Sequence, residues 1–297
     1  MFAVTGFFGQ TGSALSETLP VAHKNIRLLV RRDDAQATAW RARGAEVVVV
    51  DLSNTALLAQ TLQGVDGAYL LNPPAYMHND LFTHAHIVHI VHKSLIEAAN
   101  LAKEPNVIAL SFVGAHQPRG TGNILTTWDF EQQLQQLNSR LTILRAANFV
   151  ENWAWSLAPA LERGVLPSMF LPIEKAIPMV SVADIGRTAA AYLMQPPDRN
   201  QIIELPAPQD YSPVHAAHVL SEVLGKNIAS FVAPESTWPE EFRGSGFPPV
   251  TVQAFCGMFR GFNDDTIVFE GIHTTIPGTT DLKTALGNLL SRSHGIH

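Results

Sequence analysis

The sequence predicts an α/β protein with a doubly wound parallel sheet and a smaller C-terminal α/β lid. Three observations support this prediction. Short β-branched runs alternate with longer helical patterns through the first 150 residues. These runs are almost continuously apolar, which is typical of parallel strands covered by helices on both faces. A glycine-rich turn separates the first run from the first helical pattern, and right-handed crossovers would wind the chain about one sheet.

Six apolar runs are predicted as strands because they are short and are bounded by turn or charged residues. They are residues 2–5, 26–30, 46–50, 67–71, 107–112 and 141–144. Helical periodicity occupies the intervals between them. The predicted helices are residues 12–19, 35–43, 55–63, 80–103 and 128–137. This alternation predicts a sheet whose strands are parallel.

The pattern changes after about Asn148, where prolines accumulate. A helix is predicted at residues 182–194, a strand at 202–205 and a further helix at 212–225. Residues 235–250 are rich in proline, glycine and aromatic residues and are predicted as a covering loop. We therefore predict a large domain over residues 1–150 with a return segment at about 183–205. Residues 151–297 would form mainly the lid.

Composition narrows the function classes. The chain has 297 residues, 46% of them hydrophobic, and 26 acidic against 20 basic residues, for a net charge of −6. This acidity disfavours a nucleic-acid-coating surface, and we predict no nucleic-acid partner. The single Cys256 excludes an internal disulfide framework and fits a reducing compartment. No apolar run approaches the ~18–20 residues of a membrane span, so we predict a soluble cytoplasmic protein with no membrane partner.

The glycine-rich turn is the strongest motif. Gly6, Gly9 and Gly12 recur every three residues, directly after the first strand and at the start of the first helix. Glycines allow the tight turn, close approach of a ligand to the main chain, and close packing of helix on strand. The helix N-terminus offers unpaired N–H groups and partial positive charge to phosphates. The motif therefore predicts a dinucleotide-binding loop of the Rossmann type.

Three further segments resemble one branch of the short-chain dehydrogenase/reductase superfamily, in which the loop has the same glycine spacing. Residues 144–152 (Leu-Arg-Ala-Ala-Asn-Phe-Val-Glu-Asn) resemble the segment after its sixth strand. Residues 177–186 (Ile-Pro-Met-Val-Ser-Val-Ala-Asp-Ile-Gly) resemble its Asp-Ile-Gly signature, and residues 220–226 (Leu-Ser-Glu-Val-Leu-Gly-Lys) its C-terminal helix. The chain is therefore identified as a member of the NmrA-like family, by a resemblance that extends from Met1 to about Lys226.

The resemblance implies that a nicotinamide dinucleotide lies across the carboxyl ends of the strands. The implied contacts are Gly6, Phe8, Gly9, Gln10 and Thr11 for the pyrophosphate, Asp51 and Leu52 for the adenine, Leu71, Asn72 and Pro73 for the adenine ribose, and Phe112, Val113 and Gly114 for the nicotinamide side. Asp51 has an alternative role as a strand-end residue that caps the next helix.

The end of the second strand predicts NADP(H) rather than NAD(H). The strand ends in Arg31 and Arg32, and guanidinium groups match a 2′-phosphate with paired, charge-assisted hydrogen bonds. NAD-preferring sites place a carboxylate there instead. Asp33 and Asp34 follow at once and are the main objection. Because the apolar run stops at Val30, Arg31 is the stronger candidate, and Arg32 either stacks on the adenine or faces solvent.

The Tyr-x-x-x-Lys pair that short-chain dehydrogenases use to protonate carbonyls is absent, since no tyrosine has a lysine four residues later. Acceptors that are already electrophilic need a protein acid least. The family resemblance then implies an NADPH-dependent reductase of a small planar aromatic substrate such as a quinone, azo compound or dye. The alternative is a redox sensor that binds the dinucleotide without turnover and acts on a protein partner. A sugar-nucleotide epimerase is disfavoured because it relies on the missing pair.

Aromatic residues accumulate in the segments that would surround the mouth of the cleft. They are Phe149, Trp153, Trp155, Phe170, Trp238, Phe242 and Phe247. They fit a planar substrate or a stacked nicotinamide, with ordinary core packing as the alternative. Together with Asn148, the nearest of them, Phe149 and Trp153, form the predicted substrate pocket.

The histidines of residues 84–92 are predicted to bind no metal. They alternate with Ile and Val, which is typical of a packed helix, and no carboxylate completes a metalloprotease pattern. In this architecture that helix often forms the face of a homodimer, which is therefore a candidate assembly.

Overall fold

The fold was analysed in a computed structural model that describes residues 1–19, 26–73, 81–103, 106–242 and 246–294. The strands are β1 (Phe2–Val4), β2 (Ile26–Val30), β3 (Glu46–Val49), β4 (Gly67–Leu71), β5 (Asn106–Phe112), β6 (Arg140–Ala146), β7 (Asn148–Phe149), β8 (Val165–Ser168), β9 (Met179–Val180), β10 (Gln201–Leu205), β11 (Ala229–Val232) and β12 (Thr274–Thr275). The helices are α1 (Gln10–Thr18), α2 (Ala35–Ala42), α3 (Thr55–Leu62), α4 (Leu81–Ala102), α5 (Leu125–Leu134), α6 (Leu157–Arg163), α7 (Val182–Met194), α8 (Pro213–Leu224), α9 (Trp238–Glu241), α10 (Pro249–Asn263) and α11 (Leu282–His294). Short 3₁₀ helices occur at Gly122–Ile124, Val150–Ser156 and Glu235–Thr237.

The main sheet has eight strands in the order β12-β10-β6-β5-β4-β1-β2-β3, and its neighbours pair in parallel. The predicted α/β class with a doubly wound parallel sheet is thus confirmed. Chain order reverses between β1 and β4, and such a switch point opens a crevice at the carboxyl ends of the strands. The strand order therefore determines where a ligand site lies.

Helices cover both faces of the sheet, which explains why the strands are apolar throughout. Leu15 of α1, Trp40 of α2 and Leu193 of α7 belong to the core on one face. Leu58 of α3 and Phe130 of α5 belong to the core on the other face, together with residues of α4. Fully buried strands such as β4 fit this double coverage.

The segment after β9 returns to the main sheet. Helix α7 packs on α1, and the contact is close at Gly186, where an added Cβ would lie 2.6 Å from the carbonyl carbon of Ala14. Strand β10 then pairs with β6. Asp184 accepts hydrogen bonds from the backbone of Thr279 and Thr280, each at 3.0 Å, which joins the C-terminal segment to α7. The domain division at residue 150 itself stays a prediction.

The C-terminal part differs from its prediction at residues 235–250. This segment was expected to be a loop, but it contains α9 and leads into α10 at Pro249. Trp238 of α9 is buried, and its Nε1 donates to the Ala233 carbonyl at 2.8 Å, which holds the segment against the core. Helix α10 begins with proline in its first turn and buries one face, a pattern that the sequence does carry.

Within the described ranges, no helix combines the length and apolar character needed to cross a membrane.

Candidate functional site

A cleft of about 610 Å³ runs along the carboxyl edge of the sheet. One half is bounded by the loop after β1 and by the ends of β2, β3 and β4, and the other by β7, β8, α9 and α10. The predicted site residues that line it are Gly6, Phe8, Gly9, Gln10, Thr11, Arg31, Leu52, Leu71, Asn72, Pro73, Phe112, Asn148, Phe149 and Trp153. The fold therefore brings most of the predicted residues into one continuous cleft.

Four predicted cofactor residues do not line the cleft. Arg32 lies over the ring of Phe8, 5.5 Å from its centroid, and its Nε donates to Asp34 at 3.2 Å. Asp51 accepts hydrogen bonds from the backbone N–H and the hydroxyl of Ser53, at 2.9 and 2.8 Å. These bonds lower the pKa of the Asp51 carboxyl. The alternative role of capping the next helix is wrong, because the N-cap of α3 is Asn54.

The other two lie after β5. Val113 is fully buried, and its N–H donates to the Ala146 carbonyl at 2.8 Å, so that it belongs to the sheet edge. Gly114 has φ +83° and is packed against Ile267, with the Ile267 Cα 3.3 Å from the position of an added Cβ. Neither residue lines the cleft, because Val113 is bonded to the end of β6 and Gly114 packs against the C-terminal segment.

The glycine loop forms a cradle that is open at the N-terminus of α1. Gly6 has φ +65°, in the left-handed region that favours glycine. A Cβ on Gly12 would collide with the carbonyl of Gly6 and lie 3.0 Å from the Cα of Phe7, so loop and helix pack without space for a side chain. The N-cap Gly9 supplies no side-chain cap, and the first turn carries no acidic residue. The unpaired N–H groups there fit a pyrophosphate.

The end of β2 presents one cation to the cleft. Arg31 is exposed, lines the cleft and makes no ion pair within the described ranges. The two carboxylates that follow it are both engaged elsewhere. Asp33 pairs with both terminal nitrogens of Arg41 at 2.7 and 2.9 Å, and Asp34 caps α2 by accepting from the backbone of Gln36 and Ala37. Arg31 is therefore the charged side chain that lines this end of the cleft, and Asp51 interacts with it electrostatically from outside the lining.

A buried network that sequence reasoning missed holds Asn72. His92 is fully buried on α4, with Nδ1 2.7 Å from Asp129 Oδ2 and Nε2 2.9 Å from Asn72 Oδ1. Burial lowers the pKa of His92, and the hydrogen bond to Asp129 opposes that effect. The Asn72 amide donates to Thr126 and Thr127 at 2.8 and 3.2 Å. The histidine spacing on α4 was the only sequence signal.

The histidine run on α4 thus has a packing role at one position. Around the described part of α4, and in the rest of the described chain, no group of three or more His, Cys, Asp or Glu side chains is placed to hold a metal. The side chain of His84 lies outside the described residues. That the run binds no metal stays a prediction.

A second buried network lies behind the end of β5. Ser111, in the cleft wall, donates its hydroxyl to Glu131. Arg145 donates to both carboxylate oxygens of Glu131, at 2.9 and 2.7 Å, and to Glu270 at 2.6 Å. Both Arg145 and Glu131 are buried. The hydroxyl proton of Ser111 is therefore already engaged and does not face a ligand.

The aromatic residues divide between cleft and core. Phe149, Trp153, Trp155, Phe170 and Phe242 line the cleft, whereas Trp238 and Phe247 do not. Sequence reasoning missed the cleft residues Met169, Met179, Phe255, Met258 and Phe259. Phe255, Met258 and Phe259 lie on α10. This segment carries no motif, and only the helical spacing of its apolar residues could have placed them on one buried face.

The described tyrosines are Tyr69, Tyr192 and Tyr211, and none of them lines the cleft. Tyr69 of the central strand β4 is fully buried in the core, and burial raises its pKa. Tyr211 accepts a hydrogen bond from the backbone of Leu282 at 3.2 Å. No tyrosine of the described residues can therefore serve as a proton donor in the cleft.

A parallel sheet with its glycine loop and cleft at the switch point defines a Rossmann-type nucleotide-binding protein. The chain belongs to the NmrA-like family, whose model matches residues 1–283. Comparison with curated protein sequences gives no match.

Solved structures of the same fold include reductases and a regulator. An NADPH-dependent quinone oxidoreductase from Escherichia coli, complexed with NADPH, is 23% identical over 98% of this chain and 100% of its own, with a TM-score of 0.77. The Citrobacter sp. triphenylmethane reductase complexed with NADP(H) is 20% identical over 97% and 99%, with a TM-score of 0.76. NmrA, a negative transcriptional regulator in complex with NADP, is 15% identical over 99% and 97%, with a TM-score of 0.75. At these identities the likeness shows the fold.

Proposed function

We propose that this protein is an NADPH-dependent reductase that transfers a hydride to a small planar electrophile such as a quinone, an azo compound or a dye. One observation carries the proposal: a single cleft joins the glycine loop and Arg31 to a half walled by aromatic and methionine side chains. The first half suits a phosphorylated dinucleotide and the second a flat apolar molecule. Reductases that act on a quinone and on a triphenylmethane dye share the fold.

The chain's own residues bind and orient in this scheme. The N-terminus of α1 holds the pyrophosphate, and Arg31 pairs with the 2′-phosphate. Phe112 and Phe149, with ring centroids 5.8 Å apart, stand where the two halves meet. When bound, the reduced nicotinamide supplies the hydride. Because the Ser111 proton is engaged by Glu131 and no described tyrosine reaches the cleft, acceptors that need no protein acid are favoured.

The test is acceptor-dependent loss of NADPH absorbance across a panel of quinones, azo dyes and cationic dyes. We expect turnover with at least one class, saturating in both substrates. Tight NADPH binding by calorimetry with no turnover across the panel would contradict the reductase proposal. Loss of both binding and turnover would contradict the placement of the dinucleotide itself.

A second candidate function is a redox sensor that binds the dinucleotide without turnover and regulates a protein partner. The observation that favours it is the cleft's lack of the tyrosine–lysine pair, and a transcriptional regulator has the same fold. It predicts that NADPH and NADP⁺ differ in their effect on association with a partner, whereas a reductase needs no such partner.

Coenzyme preference is a prediction of the Arg31 geometry. We expect tighter binding of NADPH than NADH, and a loss of about tenfold to a hundredfold in NADPH affinity in Arg31→Ala, because a hydrogen bond to a charged group contributes about 1.5–3 kcal/mol. NADH affinity should change little, because NADH lacks the 2′-phosphate. Calorimetric titration of both coenzymes measures this.

The matched control is Arg32→Ala, since Arg32 stacks on Phe8 and pairs with Asp34. It should affect both coenzymes alike. Equal wild-type affinities for the two coenzymes, or an NADPH preference that survives Arg31→Ala, would refute the assignment.

A further inference from the structure

The side chain of Asn148 carries a hydrogen-bond donor that the protein does not use. Asn148 is 2% exposed and lines the cleft. Its Oδ1 accepts from Asn152 Nδ2 at 3.1 Å, which orients the amide, and its backbone N–H donates to the Pro178 carbonyl at 3.2 Å. Its own Nδ2 makes no hydrogen bond within the described chain. A fixed, unpaired amide donor in a cleft wall is poised for a ligand acceptor, because buried polar groups are almost always paired.

Three other donors of the cleft wall are engaged or sealed. Ser111 donates to Glu131, and the Asn72 amide donates to two threonines. The indole N–H of Trp153 is unpaired, but it is closed off from solvent by its surroundings. The Nδ2 of Asn148 is also unpaired, but it is not sealed from solvent. Of these donors, it alone is both free and open to the cleft.

Asn148 also stands at the junction of the two halves. It follows β6, which pairs with β5 in the main sheet, and the cleft residues Ser111 and Phe112 end that neighbouring strand. On its other side are the aromatic residues Phe149 and Trp153. A dinucleotide that crosses the switch point with its adenine end at β2 brings its nicotinamide end towards β5 and β6. The reacting part of a substrate would therefore lie beside Asn148.

We propose that Asn148 Nδ2 donates a hydrogen bond to the carbonyl oxygen of the substrate, and so selects acceptors that carry an oxygen at the reacting centre. The proposal rests on the proposed reductase function and names its substrate class as quinone-type carbonyl compounds. Reduction of a quinone adds a hydride, leaves negative charge on oxygen, and is completed by a proton from water. An amide N–H aimed at that oxygen stabilises the charge as it develops.

Two probes separate this role from simple packing. Menadione is a quinone and leaves charge on oxygen. Malachite green is a triarylmethyl cation, in which the added hydride forms a C–H bond at carbon and gives a neutral product with no oxygen to protonate. Loss of an oxygen-directed donor should therefore affect menadione and spare malachite green.

The variants are Asn148→Leu, which removes the donor at similar volume, and Asn148→Asp, which keeps the shape and replaces the donor with an anion. For menadione we expect kcat/KM to fall by about a hundredfold in Asn148→Leu and further in Asn148→Asp. For malachite green the aspartate variant should equal or exceed the leucine variant, because the anion attracts the cation. A general structural defect would not rank the leucine and aspartate variants in opposite orders for menadione and malachite green.

A binding measurement is independent of turnover. With NADP⁺ bound, quenching of tryptophan fluorescence gives the affinity for menadione, and Asn148→Leu should weaken it by about threefold to tenfold. Trp153→Phe removes the sealed N–H and keeps an aromatic ring. It should leave unchanged the ratio of kcat/KM for menadione to kcat/KM for malachite green. If Trp153→Phe changes that ratio and Asn148→Leu does not, the donor is misassigned.

Equal losses for both probes in Asn148→Leu, or unchanged menadione affinity, would overturn the proposal. A wild-type protein that reduces neither these probes nor any other acceptor of the panel would contradict the reductase function, while the menadione affinities would still decide the role of Asn148. The two failures are therefore distinguishable.

Discussion

Replacement of Gly9 by valine is expected to abolish tight NADPH binding and leave the fold intact. Gly9 has φ −85° and ψ 168°, extended backbone that valine adopts without strain. The nearest protein atom to an added Cβ is the Gly6 carbonyl oxygen at 3.2 Å, so the loop needs only a small adjustment. The branched side chain instead occupies the space in front of α1, where the pyrophosphate would approach the backbone. We expect a loss of roughly a hundredfold or more, which corresponds to about 2.8 kcal/mol.

Calorimetric titration with NADPH measures the affinity, and far-ultraviolet circular dichroism with thermal unfolding measures the fold. Gly9→Ala is the graded control, because its single methyl group should reduce affinity less than valine does. An unchanged affinity in Gly9→Val would show that the loop is not the cofactor site. An unfolded variant would show that Gly9 is needed for the turn itself, and the alanine variant would then carry the test.

The second large effect is expected from the buried ion pair behind the cleft. Arg145 and Glu131 are both buried, and Arg145→Met leaves the Glu131 carboxylate without its two guanidinium hydrogen bonds. Breaking a buried pair by removing one partner destabilises a protein by about 3–5 kcal/mol. We therefore expect a fall of this size in the free energy of unfolding, measured by urea denaturation at neutral pH. Because Glu131 also accepts a hydrogen bond from Ser111, we expect the cleft wall around Ser111 to become less ordered in this variant.

A second ion pair with the same two-nitrogen geometry, at the surface, serves as the comparison. Arg41→Met is the control, since Arg41 makes the same kind of two-nitrogen pair with Asp33 at the surface, and we expect little change. Similar losses of unfolding free energy in Arg145→Met and Arg41→Met would contradict the larger contribution expected of the buried pair.

The second strand shows how far sequence reasoning reached at the site. Its apolar run and its end at Arg31 were readable from the sequence, as was the conflict with Asp33 and Asp34. The conflict was resolved only in three dimensions, where Arg41 and the N-terminus of α2 engage the two carboxylates. The partner Arg41 lies eight residues from Asp33, and nothing in a local pattern indicates which of several arginines will pair.

The sequence by itself determined the fold class and the glycine-rich turn, and it identified part of the cleft wall. These depend on local rules: apolar runs of strand length, helical spacing, and glycines at a turn between them, which act over a few residues of chain. The same locality explains why Gly6, Gly9 and Gly12 were identified as the turn between β1 and α1. Where a single strand end or turn determines a property, the local sequence predicts that property.

Only the tertiary structure decided which polar groups are engaged and which are free. His92 reaches Asn72 across 20 residues of chain, and Arg145 reaches Glu270 across 125. The Nδ2 of Asn148 stays unpaired, whereas the Ser111 hydroxyl and the Asn152 amide of the same cleft wall are engaged. Hydrogen bonding is decided by distance and direction in space, and residues far apart in sequence compete for each group. Which polar groups of the cleft are available to a ligand is therefore determined by tertiary packing, which local sequence patterns do not predict.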